Sequence, residues 1–464
     1  TGGLDSATGP DGALVRDPMV YKPIVADKIS RLFANKIEPE PAMGDRACTG
    51  KCSAPPPAEG LSANHPGICT DVRCRGLPPW WQDYYGPCAV KPLGLRAFST
   101  LMSPASISEV RRVVQGVAAG KAPGPDLVSC DVLKILCCTG EETSPTLRCL
   151  FELANASLRI GRVPEHAKKG LIVMIPKGGS AGVRVTDVSR MRPITLLSEL
   201  GKIASRILAG RVSTVLANYP SLLNPSQRAF LRNGSTGQCV DAAVDVIEDH
   251  HEHKSDGTLF TLSYDQAKAF DSVQKYSIIA TLGRFGFPPR AVSFFSSMLD
   301  GRVRTSAGPT EAFPVRCSVR QGDPMAPLLF ILVADALHCG YGDGHAGSPD
   351  GVGYEFHGNG LKITSCGYAD DVLVFAESEE ALHRMHEWTR DFFGAHGFRL
   401  NTKKTKFSST KPALALARSL LSVDGRACLT YTPPGKAFRY LGVMLSLSLD
   451  FEEEVKRIGR WLEI

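Results

Sequence analysis

Two adjacent aspartates, Asp370 and Asp371, stand between apolar residues in GYADDVLVF (367–375). Like charges side by side repel, and burying either one unpaired is costly. The segment therefore calls for water or a cation at that point. A β-hairpin whose turn bears both residues would put the carboxylates at one exposed tip, with Val372, Val374 and Phe375 anchoring the strands. Mg2+ suits such a site, because it takes one or two carboxylates and fills its shell with water and phosphate oxygens. A plainer reading stands beside it, since Asp is a favoured turn residue. A second acidic position shifts the balance. Asp265, in SYDQAKAFD (263–271), closes a β-rich run. One Asp from each of two adjacent strands can clamp two metal ions ~3.5–4 Å apart, activating an attacking oxygen and stabilising a leaving one. Asp271 reads as a helix-start cap rather than a ligand.

These carboxylates need rigid elements behind them. The run TLFTLSY (258–264) is strand-like, as are the apolar flanks of Asp370-Asp371 and short pieces near 303–317, 405 and 438–445. Helical spacing is expected at 144–160, 197–217, 236–254, 275–300, after Gly322, and at 378–396. Order begins near Ser103, where Ser106 and Glu109 form an S-x-x-E capping box ahead of Val110, Val113, Val114 and Val117. Helices followed by a largely antiparallel sheet make the fold class α+β. No internal repeat is present.

Composition bounds the function classes. The chain has 464 residues, is 43% hydrophobic and carries a formal net charge of +6. Between Arg159 and Arg211 stand eleven Lys/Arg against Glu165, Asp187 and Glu199, so this block is 11 − 3 = +8 and the remainder is near neutral. A basic block suits a polyanion such as nucleic acid, and equally a solvated helix face. No apolar stretch is long enough to cross a membrane. Nine of the 14 cysteines are scattered, as in a reduced intracellular protein, and five (Cys48, Cys52, Cys69, Cys74, Cys88) crowd a Pro-rich N-terminal part with His65. Cys48-x3-Cys52 and His65-x3-Cys69 could hold zinc, although their spacings match no named zinc module and the region is loop-like. The chain opens on Thr1 and closes within a helical pattern, so a piece of a longer polypeptide is expected.

The segments DQAKAFD, RQGDPMAPLLF, GYADDVLVF, GFRLNTKKTKF and FRYLGVML, in this order, resemble the palm motifs of reverse transcriptases of non-LTR (LINE-type) retrotransposons. Upstream, GKAPGPD, LIVMIPKGG, RPITLL and NPSQRAFLRNGSTGQ resemble that family's fingers motifs. The resemblance spans about residues 105–446. It implies a right-hand polymerase fold: a Pro-rich, irregular linker over 1–102, helical fingers over 103–257, an antiparallel-sheet palm over 258–410, and a primer-grip hairpin with a truncated thumb over 411–464.

The resemblance also implies roles. Asp265 and Asp370 would be metal ligands, with Asp371 assisting, for two Mg2+ ions (Mn2+ as a substitute). Phe270 would lie under the sugar of the incoming nucleotide and exclude a 2′-hydroxyl, though it reads equally as a core aromatic. Gln321-Gly322 would line the nucleotide and template pocket, Gly permitting close backbone approach. Lys177 and Arg192 would hold the triphosphate. Lys404 would protonate the departing pyrophosphate, although a run of lysines also reads as a solvated edge. Tyr440, Leu441 and Gly442 would form part of the primer grip. The partners would be an RNA template, a DNA primer and dNTPs, with nuclear residence because integration occurs there. Ala326 stands where the family often has Ser, and Cys317 where Gly is usual. Two other readings remain: a decayed or domesticated fold that binds nucleic acid without turnover, and a different palm enzyme. Phe270 counts against the RNA-synthesising version of the latter.

Overall fold

The computed structural model describes residues 90–138, 144–176, 191–300, 302–305, 313–314, 317–342, 352–413, 416, 419–420 and 429–462, with isolated positions before 90. Lys177 and the Cys48–Cys88 cluster lie outside the described residues. The helices are α1 (Pro92–Ala97), α2 (Ile107–Gln115), α3 (Cys130–Cys138), α4 (Pro145–Ile160), α5 (Glu199–Asn218), α6 (Thr236–His253), α7 (Ala269–Ser272), α8 (Lys275–Arg284), α9 (Pro289–Leu299), α10 (Ala326–Gly340), α11 (Glu379–His396) and α12 (Glu452–Leu462). Among the described residues no helix is long and apolar enough to cross a membrane. The eight cysteines described as thiols are unbridged.

The chain forms two compact units, Thr1–Val215 with Phe270–Leu329, and Leu216–Ala269 with Phe330–Ile464. The first contains more than helices. Strands β1 (Gly170–Pro176) and β2 (Met191–Leu197) pair antiparallel from Gly170↔Leu197 to Pro176↔Met191. After β3 (Phe260–Tyr264) of the other unit, β4 (Arg302–Thr305) joins β1 in parallel and β5 (Phe313–Pro314) pairs with β4. Two strands of a four-stranded sheet, β1 and β2, thus sit in the region expected to be helical, while β4 and β5 fall near the strand-like pieces expected at 303–317. The reason is local: LIVMIP is a β-branched apolar run too short for a buried helix. Of the expected capping box only half forms. Ser106 Oγ accepts from Glu109 N at 3.1 Å, while the Glu109 carboxylate takes Arg211 Nε and Nη2 at 2.9 and 2.8 Å.

The basic block is partly spent inside this unit. Lys202 and Arg206 both bind Glu199 (2.7 and 2.5 Å), whose side chain is 3% exposed. Burial pushes the Glu199 carboxyl up, but the bonds from Lys202 and Arg206 outweigh it and hold the group below its ordinary value. Arg211 is spent on Glu109 and Lys168 on Glu165. Among the described residues of the block, Lys168, Lys202, Arg206 and Arg211 thus have acidic partners within the chain. Spacing alone offered only solvent or polyanion for them.

The second unit is built on a five-stranded sheet. Strands β6 (Ser365–Tyr368), β7 (Asp371–Ala376), β8 (Lys406–Ser409) and β9 (Thr430–Thr432) are arranged with β3 in the order β6-β7-β3-β8-β9. All neighbours are antiparallel except β8 and β9, which run parallel, so the sheet is mixed rather than antiparallel throughout. The middle strands are buried on both faces. Leu373 and Phe375 pack with Cys239, Ala243, Val246 and Ile247 of α6. The alternate residues face α11: Tyr264, opposite Val372 in register, bonds His386 Nδ1 at 3.0 Å and meets the Phe393 ring. Helix α11 starts at Ser378, which accepts from Ala381 N, and ends at Gly397 with φ +84°, a position that favours glycine. A hairpin of β10 (Phe438–Tyr440) and β11 (Val443–Leu445) completes the core, contributing Phe438, Tyr440 and Leu445.

Candidate active site

Asp265 follows β3 directly, and β3 pairs antiparallel with β7, which opens on Asp371. Antiparallel pairing brings the end of one strand to the start of the other. The carboxylates thus come from two adjacent strands at one end of the sheet. Asp371 is already in the ladder, opposite Tyr368, so the hairpin turn is Ala369-Asp370 rather than the aspartate pair.

That turn is strained and propped. Ala369 has φ +56°, a position where two-residue hairpins usually carry Gly. The side-chain amide of Gln227 brackets it: Oε1 accepts from Ala369 N at 3.0 Å and Nε2 donates to Ala369 O at 3.3 Å. Gln227 is 1% exposed, and its Oε1 also accepts from Ala229 N at 3.0 Å. Backbone bonds from Arg228 N to Gly367 O (2.9 Å) and from Gly367 N to Ser226 O (2.8 Å) tie the same segment to β6. Gly367 must be glycine for packing reasons: a Cβ there would stand 2.5 Å from His338 Nε2. His338 is itself buried and bonded through Nδ1 to Ser365 Oγ at 2.9 Å; burial lowers its pKa to about 4.

Asp265 is fixed from the other side. Its N–H donates to Thr405 Oγ1 (3.2 Å), and its carbonyl accepts from Asn401 N (2.9 Å). Ala267 N donates to Arg399 O at 2.8 Å. The loop from Arg399 to Thr405 therefore cradles the end of β3. It delivers Lys404 Nζ to 3.5 Å from Asp265 Oδ2, with the lysine side chain 69% exposed. The Asp371 carboxyl is pushed up to about 6 by burial, then by the negative charges of Asp370 and Asp265; Lys404 and Arg439 pull the other way without cancelling them. Arg439 had no role from spacing, and the register of β10 brings it into play.

The remaining expected residues divide between the units. Tyr440 is buried, donates to Cys366 O at 3.1 Å, and has its hydroxyl pKa raised by burial and by the Cys366 and Cys239 thiols. Leu441 and Gly442 turn the β10–β11 hairpin with φ +47° and +89°, a primed turn. In the first unit, Arg192 is exposed on β2 opposite Ile175. Phe270 is half-buried in α7, its carbonyl accepting from Val319 N. Asp271 lies inside α7, not ahead of it, and accepts from Gln321 Nε2 at 3.2 Å on both oxygens; it is not a cap. Gly322 (φ +124°) makes its close approach to protein: a Cβ there would stand 2.2 Å from Thr195 O, and Thr195 N bonds Gln321 O at 2.7 Å. Ala326 and Cys317 are both buried.

The site fits a divalent cation by its charge. Three carboxylates share one corner, and the nearby cations leave Asp371 in its raised state. Among the described residues, no group of three His, Cys, Asp or Glu side chains is set to hold a metal ion by itself. Two carboxylates with water and phosphate oxygens are the mode Mg2+ prefers.

Residues 175–445 match the family model described as reverse transcriptase (RNA-dependent DNA polymerase). The chain belongs to the reverse transcriptase family. It is similar to the Retrovirus-related Pol polyprotein from type-1 retrotransposable element R2 of Popillia japonica, 30% identical over 65% of this chain and 41% of that protein. It is 32% identical to the corresponding polyprotein of type-2 element R2DM of Drosophila melanogaster, over 55% of this chain and 22% of that protein. The RNA-directed DNA polymerase from mobile element jockey of the same fly is 24% identical over 77% of this chain and 37% of its own length. These relatives place the domain among the reverse transcriptases of non-LTR retrotransposons. The chain spans less than half the length of each.

Proposed function

We propose that this domain extends a primer along an RNA template, joining dNTPs to the primer 3′-hydroxyl. The observation that carries the reading is the end of the sheet where Asp265 follows β3 beside Asp370-Asp371 at the start of β7, a crowding of carboxylates that a divalent cation relieves. Asp265 and Asp370 hold the ions and Asp371 assists. When bound, two Mg2+ (or Mn2+) supply the Lewis-acid charge that favours 3′-hydroxyl attack on the α-phosphate.

The chain's own groups do the rest. The Arg399–Thr405 loop positions Asp265, and the exposed Lys404 gives a proton to the leaving pyrophosphate. Arg192 and Lys177 bind triphosphate oxygens. Phe270 packs under the sugar and excludes ribonucleotides, while Gln321, oriented by Asp271, and Gly322 line the base side of the pocket. Tyr440, Leu441 and Gly442 steady the primer terminus. In this reading the four-stranded unit serves as fingers and the five-stranded sheet as palm. The enzyme acts in the nucleus, where its element inserts.

The test is extension of a labelled DNA primer on an RNA template with Mg2+ and either dNTPs or rNTPs. The reading predicts template-complementary DNA synthesis with dNTPs and little product with rNTPs. Binding of primer-template without extension, in this chain and in a longer form, would overturn it.

A further inference from the structure

We propose that Gln227 is a positioning residue that holds the Ala369-Asp370 turn in its strained form and so aims both aspartates at the metal. The inference rests on the metal reading above and adds a residue to it. A left-handed φ at a residue with a Cβ is costly and persists only where its surroundings over-determine it. Here one side chain makes hydrogen bonds to both polar groups of the strained peptide. Gln227 satisfies both the donor and the acceptor of Ala369, the residue immediately before Asp370, from 142 positions earlier in the chain.

The bracket is itself rigid. Gln227 is 1% exposed, its Oε1 is shared with Ala229 N, and the flanking backbone bonds of Ser226 and Arg228 clasp Gly367. Gly367 and Ala369, on the β6 side of the β6–β7 turn, are thereby referenced to one segment, Ser226–Ala229. An amide suits this, because the bracket needs an acceptor for the N–H and a donor for the C=O. Without it the Ala369 peptide is free to relax towards ordinary φ. Asp370 then rotates off the site, and Asp371 loses its fixed neighbour. Catalytic groups displaced by about 1 Å can cost roughly a hundredfold in rate.

The experiment compares wild type with Gln227→Met, which fills the volume without the amide, and with Gln227→Met/Ala369→Gly. Three quantities are read: primer extension on RNA, Mn2+ affinity by electron paramagnetic resonance, and hydrogen exchange of the Ala369 amide. Gln227→Met is expected to weaken Mn2+ binding and slow extension by about 10- to 100-fold, with faster exchange at Ala369. Adding Ala369→Gly, which adopts the turn without a Cβ penalty, is expected to restore most of both losses. Wild-type Mn2+ affinity and extension in Gln227→Met would overturn the proposal. So would a loss of extension with unchanged Mn2+ affinity and no rescue by glycine, which marks a purely structural role. Should Gln227→Met not fold, Gln227→Asn decides: it keeps the amide on a shorter stem, and a graded loss with glycine rescue is expected. If neither variant folds, Gln227 is a folding residue and the proposal falls. Asp370→Ala serves as control. If it binds Mn2+ and extends like wild type, the metal reading itself fails; if it is inactive while Gln227→Met is normal, only the positioning role fails.

Discussion

At the scale of single residues, Asp371 links the site's chemistry to pH. An ordinary aspartate titrates near about 3.9, and this one is pushed up to about 6 by burial and by Asp370 and Asp265. Between those values the metal-free native state holds more protons than the unfolded chain. Its stability therefore falls as pH rises through that window. A cation reverses the preference by displacing the proton. Calorimetric titration of Mg2+ in buffers of different ionisation enthalpy should show roughly half a proton released per binding event at pH 6 and almost none at pH 8. Asp370→Asn, which removes the nearest like charge, should shrink the release at pH 6. Phe270 carries a separate prediction. Phe270→Val should raise incorporation of rNTPs relative to dNTPs by roughly tenfold or more, and unchanged discrimination would remove Phe270 from the sugar pocket.

At the scale of elements, two glycines show where backbone meets its neighbours. Gly367→Ala forces a Cβ to 2.5 Å from His338 Nε2, and His338 is too buried to yield. Overpacking of this kind costs about 1–3 kcal/mol, so the melting temperature should drop and extension weaken together. Gly322→Ala meets a backbone oxygen at 2.2 Å with φ +124°, a worse case because neither strain has a flexible escape. Chemical denaturation should report a loss at least as large as that of Gly367→Ala. Sequence could point to both glycines but not to their reasons. The motif around Gly322 suggested a ligand's approach, and the structure adds the close approach of Thr195 of β2. Periodicity and turn residues were enough for α4, α6, α11, β3 and the β6–β7 hairpin. They failed at β1, whose unbroken apolar run carries no period. The Gln227 bracket was beyond any local pattern, since it joins positions 142 apart.

At the scale of the whole molecule, net charge of +6 understates how the cations are used. Lys202 and Arg206 converge on a buried Glu199. Glu199→Gln would leave them facing a neutral amide, and breaking a buried pair costs about 3–5 kcal/mol; thermal melting should show it clearly. Because the Glu199 carboxyl is held below its ordinary value, its contribution is present above an unfolded value near about 4.3 and lost as pH falls through the lower folded one. Arg192 is exposed on β2 and open to an anion. Charge counting could not separate these two fates, because burial decides between them. Asp265, Asp370 and Asp371 were legible as residues, while their coupling to one another required the strand register.

If Asp265, Asp370 and Asp371 form one divalent-metal centre for RNA-templated DNA synthesis, extension must depend on both the ion and Asp370. The measurement that tests it most directly is single-nucleotide extension on an RNA template as a function of Mg2+, for wild type and for folded Asp370→Ala. The account predicts a saturable Mg2+ dependence in wild type and a loss of roughly a thousandfold or more in the variant, the worth of about 4 kcal/mol of barrier. Extension by Asp370→Ala at the wild-type rate, with the same Mg2+ dependence, would contradict it.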